Sequence, residues 1–369
     1  VSPARARSSS LVIVGPFAGH GWFPSTGGLV KQCGRAKGRG QADLPRLNPV
    51  VMTLILPSPD APLKIGTRGS PLALAQAHET RARLRAAFDL PETAFDIVVI
   101  KTTGDDAALI AADRPLKEIG NKGLFTKEIE EQLLSGGIDI AVHSMKDMPV
   151  DQPGGLLLVC YLPREATADA FVSIKHEAVV DLPEGAVVGT SSLRRKAQLL
   201  NRRPDLAVVE FRGNVQTRLR KLEEGVAEAT FLAMAGLNRL GMSAVPHMAI
   251  APEDMLPAIA QGAIGIERRA GDSRTAEMLD AIHHSETGQR LAAERAFLAA
   301  LDGSCETPIA GLATLDGARL RLRGEILRTD GSEALDDDVT GPVEDGAEIG
   351  RAMAAGLLAR AGDGFFDWR

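Results

Sequence analysis

Cysteine is scarce: the chain of 369 residues has three, Cys33, Cys160 and Cys305. Three thiols cannot staple a chain of this length, so a disulfide scaffold is excluded and a reducing compartment fits best. None has a C-x-x-C partner, and H-E-x-x-H is missing. The adjacent pair His283 and His284 would face different ways on a helix, so no metal site is expected. Aromatics are sparse, 4% with a single Tyr, which leaves little for stacking on nucleic-acid bases. No apolar run approaches the roughly 18 residues of a membrane helix. G-x-x-x-x-G-K-[ST] is absent, as is a G-x-G-x-x-G following a strand, so the usual nucleotide cradles are not there.

What is present is an ordinary globular composition, 44% hydrophobic and 24% charged, long enough for two or three domains at ~150 residues each. The net charge of −6 is unevenly spread. Residues 1–51 hold seven Lys or Arg, one acid, eight Gly and five Pro; the remainder carries a net −12. Three explanations compete for this arm: a targeting peptide, a disordered basic arm, or sequence upstream of a misplaced start, with Met52 the natural first residue. The third is preferred, because Gly and Pro are too dense for a continuous amphipathic targeting helix.

From about residue 62 the chain alternates β-type runs with helical patterns. A strand begins at Leu63–Ile65 and is expected to break at Gly66–Gly69, after which Ser70 caps a helix opened by Pro71 and running to about Phe88. Asp96–Thr102 reads as a strand, Leu124–Leu134 as a helix and Asp139–His143 as a strand. The pattern then restarts: strand Ala186–Gly189, helix Ser192–Leu200, strand Leu206–Phe211, helix Asn214–Glu224, strand Thr230–Met234. Such alternation predicts parallel sheets in two similar lobes, with a ligand cleft at the carboxyl ends of the strands. After about residue 284 a helix over Gly288–Leu301, strand-like runs Ala313–Leu315 and Arg319–Ile326 around Asp316 and Gly317, and a helix over Gly346–Ala361 suggest a small α+β domain. Asp336–Asp338 reads as a solvated loop.

The strand-to-helix junctions carry cations and hydroxyls. Arg68 and Ser70 lie at the first; Thr102, Thr103 and Asp105 follow the second strand; Lys122 precedes the next helix; His143, Ser144, Lys146 and Asp147 follow the fourth strand. Thr190, Ser191, Ser192, Arg194 and Arg195 open one helix of the second lobe, and Arg212, Gly213 and Asn214 open another, with Arg218 one turn on. Residues 194–221 contain nine basic residues and two acids. Helix N-termini present free N–H groups and a positive dipole end, and Arg grips carboxylates bidentately. Several such junctions on one edge of two sheets imply a cleft for a ligand with several carboxylates or phosphates. Asp105 and Asp147 are acids among cations, either caps and salt-bridge partners or carboxylates facing a cationic or N–H-bearing centre. Cys305, in a Gly-bearing loop, is an incidental semi-buried thiol, a nucleophile or a covalent attachment point. Cys160, in LLLVCYL, reads as core.

Seven segments in order resemble the porphobilinogen deaminase (hydroxymethylbilane synthase) family. They are Lys64–Ala77 (KIGTRGSPLALAQA), Asn121–Glu130, Ile138–Pro149 (IDIAVHSMKDMP), Val188–Leu199 (VGTSSLRRKAQL), Phe211–Leu222, Leu256–Glu267 and Ala293–Gly311. The resemblance runs from about residue 62 to the end. Ala260 departs from it, standing where many relatives have Gly.

The resemblance implies an α/β fold of two lobes like type II periplasmic binding proteins, plus a small C-terminal α+β domain. It puts 1–61 outside the family as a disordered extension, 62–163 with 262–282 in domain 1, 164–261 in domain 2, and 284–369 in domain 3. It implies a transferase of tetrapyrrole (haem or chlorophyll-type porphyrin) biosynthesis. Four porphobilinogen molecules are joined into linear hydroxymethylbilane with release of ammonia, on a dipyrromethane cofactor held by a thioether to Cys305. By the same resemblance Asp147, Asp105 and Lys122 are catalytic. Asp147 accepts pyrrole N–H bonds and stabilises positive charge as ammonia leaves. Cys305, Lys146, Asp147, Ser192, Arg194, Arg195, Arg212 and Arg218 hold the cofactor; Arg68, Ser70, Ser144, Thr190, Arg212 and Arg218 hold substrate. Porphobilinogen is the expected partner of a cytoplasmic monomer, with neither nucleic acid nor membrane. The rival from another class is a non-enzymatic two-lobed anion-binding protein; a nucleic-acid binder using 194–221 is a further one.

Overall fold

The structure is a computed structural model that describes residues 54–103, 126–304, 307–362 and 364–366. The chain divides into two compact units, Val1–Leu56 and Pro57–Arg369, and every element below belongs to the second.

The strands in chain order are β1 (Leu63–Arg68), β2 (Phe95–Ile100), β3 (Ile140–Ser144), β4 (Leu156–Tyr161), β5 (Asp169–Val172), β6 (Val187–Gly189), β7 (Ala207–Val209), β8 (Ala229–Ala233), β9 (His247–Ala249), β10 (Ile264–Arg269), β11 (Ile309–Asp316), β12 (Arg319–Leu327) and β13 (Ala334–Pro342). The α-helices are α1 (Pro71–Phe88), α2 (Lys127–Leu134), α3 (Leu193–Arg202), α4 (Val215–Glu223), α5 (Met234–Arg239), α6 (Ser273–Asp280), α7 (Ser285–Ala300) and α8 (Gly346–Arg360).

Three sheets result. The first has the order β2-β1-β3-β10-β4 and the second β7-β6-β8-β5-β9. The two orders correspond position by position, and in each the fourth strand runs antiparallel to both neighbours. The expectation of parallel sheets is thus corrected to mixed ones, parallel among the first three strands of each order. The reason is connectivity: residues 162–168 carry the chain from the first sheet to the second, and 250–263 carry it back. Each arrival inserts a strand, β5 or β10, against the local direction. The third sheet, β11-β12-β13, is an antiparallel meander turning at Gly317, whose φ of 57° suits glycine. It packs on α7 and α8 through Phe297, Leu322 and Met353, and the same core takes in Met145 and Leu158 of the first lobe.

Local chemistry explains the junctions. Ser70 Oγ accepts from Ala73 N at 3.2 Å, with Pro71 at the first helical position. Ser192 caps α3 through Arg195 N, and Asn214 caps α4 through Thr217 N at 2.9 Å. Both long faces of β3 are covered, which is why it reads as a continuous apolar run.

Other expectations need correction. β1 does not break at Gly66; it pairs through to Arg68. A Cβ at Gly66 would collide with Ile138 Cδ1, so this glycine serves close packing, not a turn. Helix α7 starts at Ser285, before Gly288, because His284 is its cap and accepts from Thr287 N at 3.3 Å. His283 accepts from Tyr161 N at 3.2 Å, so neither histidine lies within a helix. Asp336–Asp338 is not a loop but part of β13, where Asp338 is ion-paired with Arg321 across the strands. Of the helix expected over Leu124–Leu134, residues 124 and 125 lie outside the described residues.

Candidate active site

The carboxyl end of β1, the cap of α1 and the turn after β3 open onto one cavity. Arg68, Ser70, Gln76, Ser144 and Asp147 line it, together with Thr126, His143 and Met148. A tight helical turn, Met145–Asp147, follows β3 and projects Lys146 and Asp147. Met145 anchors that turn, being buried and hydrogen-bonded through its N–H to Ala263 O at 3.0 Å. Ser144 is fixed by Gln76: the amide Nε2 donates to the hydroxyl at 2.8 Å, and the hydroxyl donates back to Oε1 at 3.0 Å. Asp147 carries no hydrogen bond to a protein group among the described residues, which leaves its carboxylate available to a ligand.

Behind this wall His143 Nε2 meets Glu267 Oε2 at 3.2 Å, both side chains buried. Burial also raises the nearby Glu130 carboxyl. Lys146 is lowered to about 8 by burial, opposed by the adjacent Asp147 carboxylate.

The second lobe contributes the start of α3. Arg194 and Arg195 are buried. Arg194 Nη2 donates to Asp169 Oδ2 at 2.7 Å and Nη1 to Leu256 O at 2.8 Å. Arg195 donates to Asp169 Oδ1 from Nη2 at 2.7 Å and from Nε at 3.2 Å, and to Phe231 O at 2.9 Å. Burial alone would raise the Asp169 carboxyl, but the two guanidiniums and the bonds from Arg195 and Gln261 hold it well below the usual carboxylate range. Thr190 is buried and its hydroxyl accepts from Ser192 N at 3.2 Å. Lys146 of the first lobe feels the charges of Asp169, Arg194 and Arg195, so the two lobes present one electrostatic unit.

Arg68, Ser70, Ser144 and Asp147 therefore converge on one cavity, and Thr190, Ser192, Arg194 and Arg195 on one helix start. Arg212 and Arg218 lie at the neighbouring start of α4 and do not line that cavity; Arg218 Nε donates to Gly213 O at 3.0 Å. Asp105, Lys122 and Cys305 lie outside the described residues. The sequence reading missed Gln76, Gln261 and Asp169. The two glutamines fall inside the quoted segments, where their amides could have been weighed; Asp169 is a lone acid with no spacing signal. Cys160 is core, as read, its thiol pushed up to about 12 by burial. Among the described residues no group of three or more His, Cys, Asp or Glu could hold a metal, and no helix is long and apolar enough to cross a membrane.

The arrangement suits an acidic ligand of several carboxylates. Cationic donors outnumber the carboxylates among them, and among the described residues the buried Arg194 Nε meets no acceptor. That is a fit for a dipyrromethane, whose rings carry acetate and propionate groups.

Comparison with known proteins agrees. A family model described as "Porphobilinogen deaminase, dipyromethane cofactor binding domain" matches residues 63–277, and one described as "Porphobilinogen deaminase, C-terminal domain" matches 289–359. The chain is 65% identical over 313 residues to a porphobilinogen deaminase of Paracoccus denitrificans (strain Pd 1222), covering 85% of this chain and 99% of the relative. It is 53% identical over 311 residues to a chloroplastic porphobilinogen deaminase of Pisum sativum, covering 83% of each. Among solved structures, the periplasmic VFT2 domain of Bordetella pertussis BvgS aligns with 63% of this chain and 91% of its own length, at 15% identity and a TM-score of 0.34. At that score the sheet orders of this chain, not the likeness, define its architecture. With both family models matched in order and a relative spanned almost end to end, the chain belongs to the porphobilinogen deaminase family.

Proposed function

We propose that this chain condenses four porphobilinogen molecules into linear hydroxymethylbilane with loss of ammonia, and that Asp147 is its catalytic carboxylate. The observation that carries the reading is Asp147 itself: an acid without a hydrogen bond among the described residues, on a turn braced by buried Met145, in a cavity shared with Arg68 and Ser70. A carboxylate so placed accepts pyrrole N–H bonds and stabilises the cationic carbon left as ammonia departs. Arg68, Ser70, Ser144 and Thr190 bind the substrate carboxylates, with Ser144 pre-oriented by Gln76. Lys146, Ser192, Arg194, Arg195, Arg212 and Arg218 hold the cofactor, and Arg212 and Arg218 serve the growing chain as well. Asp105 and Lys122 assist.

Dipyrromethane, when bound, supplies the pyrrole carbon to which the first substrate ring is joined; Cys305 is its point of attachment through a thioether. The division into 62–163 with 262–282, 164–261 and 284–369 belongs to the same reading, supported by β10 pairing with β3 and β4. A reducing, cytoplasmic compartment accords with the scarcity of cysteine, and the chain acts as a monomer in this reading.

Intact mass tests the assignment. Wild-type protein incubated with porphobilinogen is expected to exceed its sequence mass by two linked pyrrole units, and Cys305→Ala to show no excess. An unmodified wild type, or a modified Cys305→Ala, overturns it.

A further inference from the structure

Asp169 has no part in the chemistry above, yet three functional segments meet on it. It opens β5, directly after the first crossing segment, and is fully buried. Arg194 and Arg195 donate to its two oxygens from the start of α3. Gln261, in the second crossing segment, donates from Nε2 to Asp169 Oδ1 at 2.9 Å and to Thr167 O of the first at 2.8 Å. One carboxylate thus fixes the α3 arginines against both segments that join the lobes.

The charge does not balance. Two guanidiniums share one carboxylate, and Lys146 and Asp147 opposite cancel each other. Glu325, the other buried carboxylate that acts on Arg194, is ion-paired with Arg202 at 3.7 Å, so one positive charge is left over in the cluster, an arrangement that is costly unless an anion completes it. Donors are also left over. A guanidinium has five N–H groups; among the described residues, protein acceptors take two from Arg194 and three from Arg195, and the buried Arg194 Nε meets none. A second carboxylate from the protein would have neutralised the pair. A single one holds both guanidiniums still and leaves one positive charge for an anionic ligand to complete.

We propose that Asp169 is a positioning residue of the condensation: it locks Arg194 and Arg195 into the one presentation that receives a carboxylate of the pyrrole chain. The inference rests on the function proposed above. Asp169 touches no reacting atom and acts through the two arginines. A merely structural ion pair would make the same contacts, so the test must read charge as well as fold. Lys146 provides that reading. The groups acting on it are Asp147 beside it and Asp169, Arg194 and Arg195 across the cleft. The two carboxylates favour its ammonium and the two guanidiniums oppose it, so neutralising Asp169 lowers its titration further.

The experiment uses the full chain incubated with porphobilinogen, comparing wild type, Asp169→Asn and Asp169→Glu by intact mass and by the pH profile of kcat/KM. Asp169→Asn is expected to carry the two-pyrrole excess on less than half of its molecules. The alkaline limb of its profile moves to lower pH by about half a unit to one unit. Asp169→Glu keeps the charge but shifts the carboxylate by one methylene, so its limb stays at the wild-type position while loading still falls. Wild-type loading and a wild-type profile in both variants overturn the proposal. If Asp169→Asn does not fold, Asp169→Glu decides alone: reduced loading supports the positioning role, complete loading overturns it. A wild type whose mass after incubation equals its sequence mass sinks the proposed function, and this inference with it.

Discussion

At the scale of single residues, the site contrasts groups tied by hydrogen bonds with Asp147, whose carboxylate has no hydrogen bond among the described residues. Ser144, Arg194 and Arg195 are each tied by two or more hydrogen bonds. Asp147 is not. A group meant to stabilise charge that appears only during reaction should be preorganised by its backbone and not spent on a protein partner. Asp147→Asn removes the charge and keeps the size, so fold and cofactor mass should be retained while kcat falls about 10²–10³-fold. Purified variant showing both the two-pyrrole excess and near-wild-type product formation would refute the role. The cations and hydroxyls of this site were legible because strand–turn–helix junctions put them in register along the sequence. Their partner Asp169 was not: it lies 25 residues from Arg194, and its meaning exists only once β5 is beside α3. The arginines read as open anion grips are in fact half committed to it.

At the scale of elements, capping chemistry was the dependable signal and glycine the ambiguous one. Ser70, Ser192 and Asn214 cap the helices expected of them because the physics is local, a hydroxyl or amide oxygen meeting an N–H three residues on. Gly66 misled because a missing Cβ serves a turn and a close approach equally well, and only the tertiary neighbour Ile138 distinguishes them. Asp336–Asp338 misled because three acids look solvated; in β13 their backbones pair with β12 while the side chains alternate about the strand. The inverse case is Ala260, in the second crossing segment. It is the departure noted in the sequence, and its φ of 59° puts a Cβ in the left-handed region. Relief of that strain exceeds the extra unfolded-state entropy of glycine, so Ala260→Gly should stabilise by about 0.5–1 kcal/mol. Urea unfolding of the two proteins side by side measures it; a lower midpoint in Ala260→Gly at equal m would reject the strain account.

At the scale of the whole molecule, the question is what keeps two lobes and a third sheet in one arrangement while the lobes are joined by only two strands of chain. Glu294, on α7, answers much of it. Its carboxylate accepts from Arg164 at 2.7 and 3.0 Å in the first crossing segment, from Ala260 N at 2.7 Å in the second, and from Ala313 N at 2.8 Å on β11. Both crossing segments are also bonded to each other directly, Glu165 N to Gly262 O at 3.2 Å. Arg164 and Glu294 side chains are essentially inaccessible, 1% and 0% exposed, so water cannot replace either partner. Removing one leaves the other charge buried and uncompensated, a loss of about 3–5 kcal/mol. Glu294→Gln, which also weakens the two backbone N–H bonds, should therefore lower the unfolding free energy by that amount, read from the denaturation midpoint and m. Substituting both partners with Met removes both charges at once, and the double variant should recover a large part of the loss, since two apolar side chains of similar volume carry no uncompensated charge. With Arg164→Met and Glu294→Met as the single variants, the double-mutant cycle separates this clamp from ordinary packing. Additive losses, with the double variant as unstable as the two singles combined, would mean that Arg164 and Glu294 stabilise the molecule independently and that the lobes are held by apolar contact alone.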